Sequence, residues 1–387
     1  MIYLDAAATA KYANVDDIIV DTITTAMRDS WMNPSSLYAA NIKNKINKCR
    51  ENVAKFIGAN EEEIYFTSGA SESNNWAIRG WVDDIIINTL KFPRIITTLI
   101  EHKSILKTVE NENLNARICY CDVDEFGIVK YELLERLLNQ CRHAAVLVSI
   151  HMANNEIGTI QNIKRISELT HKYNGVLHVD ATQAFGHIPI NVKELGIDMM
   201  SCSGHKLSPA LRGVGFLYKK NCINIQPLIY GAQERELRGG TENTYGIIGL
   251  NKAIEHCDVN AKKIIELINK RNYFMEFLVS KFGCKINGDI DNRLPNNINA
   301  TFPQNITGES LLYILDISNI KISTGSACNS NTIEPSYVLK EIGLSDEEAM
   351  RTVRFTLPDD IAYEEIDNVI EEIDKAIKLI ESNLNGD

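Results

Sequence analysis

Residues 175–206 read GVLHVDATQAFGHIPINVKELGIDMMSCSGHK. Two short apolar runs, GVLHVDA and IDMMSCS, each end in polar residues, and the segment between them carries glycine and proline. Such runs predict buried strands rather than amphipathic helices, because they are short, partly β-branched and bounded by turn residues. The same alternation extends upstream. RIITTLI from residue 94 precedes a helical pattern from Lys103, ARICYCDV precedes YELLERLLNQ, and AAVLVSI precedes the helix NIKRISELTHKY. This is the syntax of βαβ units, so the chain is expected to be an α/β protein whose mostly parallel sheet is flanked by helices on both faces.

Beyond Tyr245 the pattern changes. A long helical stretch is predicted over about 246–282, followed by KINGD, NNINATF and IKIST as strand candidates. In the C-terminal helix Ile366, Val369, Ile370, Ile373, Ile377, Ile380 and Leu384 recur at three and four, the stripe of a packed helix. At 387 residues the chain exceeds the usual size of one domain. A large α/β domain is expected over residues 15–256, with a smaller α+β domain built from residues 1–14 and 257–387.

The 40 basic and 51 acidic side chains give a net charge of −11, which argues against direct nucleic-acid binding. The start, MIYLDAAATA, lacks a basic leader region, and no apolar run is long enough to span a bilayer. A soluble, cytoplasmic protein without membrane association is therefore expected. Nine cysteines, an odd number without a secretion signal, read as free thiols rather than a disulfide framework. Cys119 and Cys121 lack a second ligand pair at zinc-finger spacing, and no metal site is expected.

Open α/β sheets bind ligands where the carboxyl ends of their strands open. Asp180 closes one strand with Gln183 three residues on, and the next run leads into Ser203, His205 and Lys206. Singly, each has a plainer explanation: Asp180 as a helix cap, Lys206 as a solvated lysine. Together they meet the needs of a pyridoxal phosphate site, which requires an amine for covalent attachment, a carboxylate to keep the pyridine nitrogen protonated, and donors for the phosphate. Donors are offered by EIYFTSGASESNNWAIRGW, a strand, a small-residue turn and a helix beginning near Ser71, whose N-terminus attracts anions or is simply N-capped. His102, in IEHKSI, stands at another strand end, where its ring could stack on a cofactor and relay protons.

Residues 323–330, STGSACNS, pose a separate question. A structural cysteine is usually buried among apolar neighbours, whereas Cys328 sits among small and polar residues of loop composition.

In these stretches, and in YLDAAAT, NPSS, NNEIGTIQ, QERELRGGTEN, EPSYVL and VRFTLP, the chain resembles the group I cysteine desulfurases of the NifS/IscS type, within the class V aminotransferase superfamily of fold-type-I pyridoxal phosphate enzymes. The resemblance implies desulfuration of L-cysteine to L-alanine, with a persulfide left on Cys328 and passed to a sulfur-acceptor protein, such as an iron–sulfur scaffold or a thiolation enzyme. It further implies Lys206 as the Schiff-base lysine and base at Cα, Asp180 on the pyridine nitrogen, and His102 over the ring as proton shuttle. Ala70, Ser71, Ser203, Gly204 and His205 would hold the phosphate, while Gln183 and Asn155 would lie near the phenolic oxygen and the substrate carboxylate. Arg354, helped by Asn33, would pair with that carboxylate. Thr241 resembles the residue such enzymes contribute from the opposite subunit, which implies a homodimer with shared sites.

The sequence also departs from the family pattern, with Tyr38 and Asn41 in NPSSLYAAN, the longer LSPALRG turn after Lys206, and Tyr230 and Glu236 in YGAQERE. Two other readings stay open. A class V aminotransferase would share the cofactor site without using a loop thiol, and a non-catalytic sulfur-relay or scaffold protein could keep the fold.

Overall fold

The computed structural model describes residues 1–257, 259–324 and 334–385. Its strands are β1 (Ile2–Tyr3), β2 (Ile64–Thr67), β3 (Pro93–Thr97), β4 (Arg117–Tyr120), β5 (Ala145–His151), β6 (Val176–Asp180), β7 (Met199–Ser203), β8 (Gly215–Lys219), β9 (Lys285–Ile286), β10 (Asn297–Thr301), β11 (Ile320–Lys321) and β12 (Thr352–Thr356). The central sheet has the order β2-β8-β7-β6-β5-β3-β4. The pairs among β3 to β7 are parallel, and only β8 runs against its neighbours. The expected mostly parallel α/β sheet is therefore present.

Successive side chains of a strand face opposite ways, and both faces are covered. Val146, Val148, Leu177, Val179 and Phe216 pack on one side with Ile19, Ile42 and Ile247 of the helices Asn14–Asp29, Ala40–Ile57 and Thr244–His256. Leu147, Met199 and Leu217 pack on the other with Trp76, Ile78 and Val82 of the helix Ala70–Asn88. Burial of a large apolar side chain such as Trp76, which is fully enclosed, contributes roughly 1.5–3 kcal/mol. On this second face the strand ends turn polar. The registers His178 with Ser149, and Asp180 with His151 and Ser201, place these side chains side by side beneath Ala70–Asn88. His178 bridges Ser149 Oγ and Ser201 Oγ, each at 2.9 Å, and burial pushes its pKa down to about 4.

A second core joins the N-terminal segment to the C-terminal third. Strands β9, β10 and β12 form an antiparallel sheet, and β1 pairs in parallel with β11. Leu4, Phe274, Ile298 and Phe355 are buried there with Ile366, Val369, Ile370 and Ile373 of the last helix. The helical stretch predicted over 246–282 is two helices, Thr244–His256 and Ala261–Ser280. Asn260 starts the second, its side chain accepting a hydrogen bond from Lys263 N at 3.0 Å, which is the capping chemistry that separates two helices sharing one apolar pattern. No helix among the described residues is long and apolar enough to cross a membrane.

Candidate active site

Asp180 ends β6, 6% exposed, and its oxygens are held by short-range donors. Oδ1 accepts from Thr182 N at 3.0 Å and Thr182 Oγ1 at 2.5 Å, and Oδ2 accepts from Asn74 Nδ2 at 2.7 Å. Asn74 Nδ2 also donates to Ser104 Oγ at 2.9 Å, and Ser104 Oγ lies 2.8 Å from His102 Nδ1. His102 caps the helix Lys103–Val109 by accepting from Ser104 N at 3.1 Å, so Nδ1 is an acceptor and a neutral ring carries its proton on Nε2. Three helix and strand ends thereby link Asp180 to the exposed His102 through two intermediates that sequence reading missed, Asn74 and Ser104.

Next to Asp180 in register, His151 Nδ1 lies 3.0 Å from Glu101 Oε2. Burial opposes charging of this imidazole, but Glu101 and then Asp180 raise its pKa on balance. Its Nε2 is buried without a partner among the described residues, as is Asn74 Oδ1.

Lys206 follows β7 in a single turn, Gly204–Lys206, and its Nζ donates to Ala7 O at 2.5 Å and Ala8 O at 2.8 Å. The Ala7 carbonyl also accepts from Gln183 Nε2 at 3.0 Å. Ser203 Oγ lies 2.7 Å from His205 Nδ1. Burial, then the nearby charges of Lys206, Arg212 and His102, push the His205 pKa down to about 4, so its imidazole is neutral near pH 7. Ala70 and Ser71 open the helix Ala70–Asn88, whose first N–H groups have no partner within the helix. Gly69, at φ 150°, precedes them, and a Cβ there would lie 3.3 Å from Ser203 Oγ. The helix N-terminus therefore meets Ser203 and His205 in one cradle suited to an anion.

Arg354, on β12, is 7% exposed. Its Nη1 donates to Asn155 O at 3.0 Å and its Nη2 to Asp5 Oδ1 at 2.6 Å, while Nε is buried without a partner among the described residues. Asn155 thus enters through its carbonyl. Glu156 beside it accepts from Ser336 Oγ at 2.5 Å, and burial, only partly offset by Ser336, Arg354 and Lys103, pushes its pKa up to about 7.

Two expected site residues are not joined to this cluster. Asn33 is exposed and spends its Oδ1 on Ser35 N in its own turn; among the described residues no hydrogen bond ties it to Arg354. Thr241 is exposed and lines a cavity of about 130 Å³ with Thr67, Ser68, Arg238 and Glu242. Cys328 lies outside the described residues. The flanking residues do not: Ser323 exchanges backbone hydrogen bonds with Arg354 at 3.2 and 2.7 Å, and Tyr337 donates its hydroxyl to Glu101 O at 2.8 Å.

Residues 2–369 match the model of the aminotransferase class-V family. Among curated relatives, the cysteine desulfurase IscS of Clostridium botulinum (strain Hall) is 43% identical over 385 residues, covering 97% of this chain and 94% of that protein. The cysteine desulfurase IscS of Methanosarcina thermophila is 40% identical, covering 97% and 92%. A solved NifS-like protein superposes with a TM-score of 0.87 at 32% identity, covering 98% of this chain and 99% of the other. SspA in complex with cysteine gives a TM-score of 0.79 at 34% identity, covering 93% and 99%. Agreement of sequence and fold over almost the whole length places the chain in the class V aminotransferase family, among its cysteine desulfurases of the NifS and IscS type.

Proposed function

We propose that the chain takes sulfur from L-cysteine, releasing L-alanine and leaving a persulfide on Cys328, with pyridoxal 5′-phosphate as cofactor. The residues present fit that cofactor. An anion cradle at Ala70 and Ser71, walled by Ser203, Gly204 and His205, suits its phosphate; Asp180, set by Asn74 and Thr182, suits a protonated ring nitrogen; and Lys206 offers the amine for attachment. The buried Asn74 Oδ1 is an acceptor with no partner among the described residues, on the side chain that reaches Asp180. When bound, the cofactor would supply an electron sink for the pair released at Cα.

The chain's own residues do the rest. Arg354 and the Asn155 turn orient the substrate carboxylate, and Gln183 steadies the site from the Ala7 side. Lys206 moves the proton at Cα. His102, with Nδ1 held as acceptor, presents Nε2 as the atom that exchanges protons. The Cys328 thiolate attacks the substrate sulfur; an S–S bond forms, the C–S bond breaks, and the carbon fragment is protonated to alanine. Substrate and thiol thus give alanine and persulfide with no external oxidant.

The observation that carries this reading is the position of the described residues on either side of Cys328 in the sequence. Ser323 is fastened to Arg354 and Ser336 to Glu156, so the described residues that precede and follow Cys328 in sequence both lie beside the residues read as receiving the substrate carboxylate. The test is incubation of the purified protein with L-cysteine, measuring alanine and locating the extra sulfur by peptide mass. Pyruvate formed from alanine without sulfur release would favour an aminotransferase instead. In this reading the persulfide passes to an acceptor protein, and Thr241 serves the site of a second copy in a homodimer.

A further inference from the structure

The N-terminal segment from Asp5 to Ala8 touches three side chains of the site: Arg354, Lys206 and Gln183. The contact with Arg354 differs in kind from the others. Asp5 Oδ1 and Arg354 Nη2 are 2.6 Å apart, with the two side chains 21% and 8% exposed, so the pair is largely withdrawn from water. A guanidinium buried to this degree needs a counter-charge, and removing one partner of such a pair is strongly unfavourable. A ligand carboxylate that grips a guanidinium in a fork needs two of its N–H groups. Here Nη1 is turned to Asn155 O, Nε is buried, and Nη2 is already held by a carboxylate of the chain itself.

We propose that Asp5 is a specificity-determining residue: it is the resident counter-anion of Arg354, and a substrate carboxylate binds by exchanging with it on the guanidinium. The proposal rests on the reading that Arg354 receives the substrate carboxylate. Exchange has two consequences. An incoming carboxylate gains only the difference between its own pairing and that of Asp5, so affinity is held below what an uncompensated arginine would give. A ligand with the amine but no carboxylate leaves the Asp5–Arg354 pair undisturbed, so the arginine is never stranded.

The test compares L-alanine with ethylamine, which differ by the carboxylate and carry no sulfur to turn over, in equilibrium titrations of the holoenzyme read by cofactor absorbance. Asp5→Asn should bind L-alanine five- to tenfold more tightly and ethylamine unchanged, and the KM for L-cysteine should fall without a rise in kcat. Because the ratio of the two affinities is taken within one preparation, a smaller folded fraction does not alter it; if Asp5→Asn does not fold, Asp5→Ser removes the same charge. Unchanged or weaker L-alanine binding overturns the exchange and leaves Asp5 as a prop for Arg354. Arg354→Gln separates the two readings: it should erase the preference for L-alanine over ethylamine. A preference that survives there means that Arg354 is not the carboxylate receptor.

Discussion

Asn74 Nδ2 lies 2.7 Å from Asp180 Oδ2, inside a buried contact between the helix Ala70–Asn88 and the end of β6. A hydrogen bond to a charged group contributes about 1.5–3 kcal/mol, and a buried carboxylate oxygen that loses its donor bears the full penalty. Asn74→Ala should therefore weaken retention of pyridoxal phosphate on the order of ten- to a hundredfold, measured by titrating the apoprotein with cofactor. Asn74→Asp should be worse, because it sets a second carboxylate against Asp180.

Glu156 gives a pH signature. Burial raises its pKa from 4.5 to about 7, so the folded protein holds a proton that the unfolded chain releases between those values. The stability tied to that proton is fully present below about pH 4.5 and is lost as pH rises through about 7. Glu156→Gln keeps a polar partner for Ser336 but cannot ionise. Its melting temperature should gain on wild type between pH 5 and about pH 7 and level off above that, by an amount equivalent to a few kcal/mol at most. Melting curves at three pH values check this, and parallel pH profiles for the two proteins would place the titration elsewhere.

Much of this site could be read from the chain, for a physical reason. Asp180, Ser203 and Lys206 sit where apolar runs end, and a strand end is visible as a change from β-branched to polar residues. Asn74, Ser104 and Asp5 were not legible in the same way. Asn74 lies in the second turn of its helix, where nothing local distinguishes it from a solvated face, and its role arises only when that helix crosses β6. Asp5 lies 349 positions from Arg354 and is brought to it by the pairing of β1 with β11 and the bridge from Asp5 to Thr356. Likewise the start of a separate helix at Ala261 hides in the sequence, because the Asn260 cap depends on one side chain rather than on periodicity.

Thr241 tests the dimer. Within one chain it lines a small cavity with Ser68 and makes no hydrogen bond to the Lys206 cluster among the described residues. If it serves a neighbour's phosphate, Lys206→Ala and Thr241→Ala proteins, each of low activity, should regain up to about a quarter of wild-type activity when their subunits are mixed and exchanged. Lys206→Ala alone should lose the cofactor absorbance that responds to added amino acid. Full activity at dilutions where light scattering finds only monomers would exclude a shared site.

Five of the other thiols are excluded as sulfur carriers by their burial, which narrows the choice toward Cys328. Cys49, Cys121, Cys141, Cys202 and Cys284 are buried, and burial pushes the Cys49, Cys121 and Cys284 thiols up to about 12 and Cys202 well above its ordinary value. A thiol so raised is essentially never a thiolate near neutrality, and only the thiolate attacks sulfur. Cys222 is exposed, in the turn after β8 that follows Lys219. It is the natural internal control. Cys222→Ser should keep wild-type alanine production, whereas Cys328→Ser, whose hydroxyl cannot form a persulfide, should bind L-cysteine with a change in cofactor absorbance and yet lose at least a hundredfold in alanine release. In wild type quenched without reductant, the additional 32 Da of one sulfur should appear on the peptide containing residues 325–333. Sulfur on the Cys222 peptide instead, or alanine release by Cys328→Ser at the wild-type rate, would show that Cys328 does not carry the sulfur.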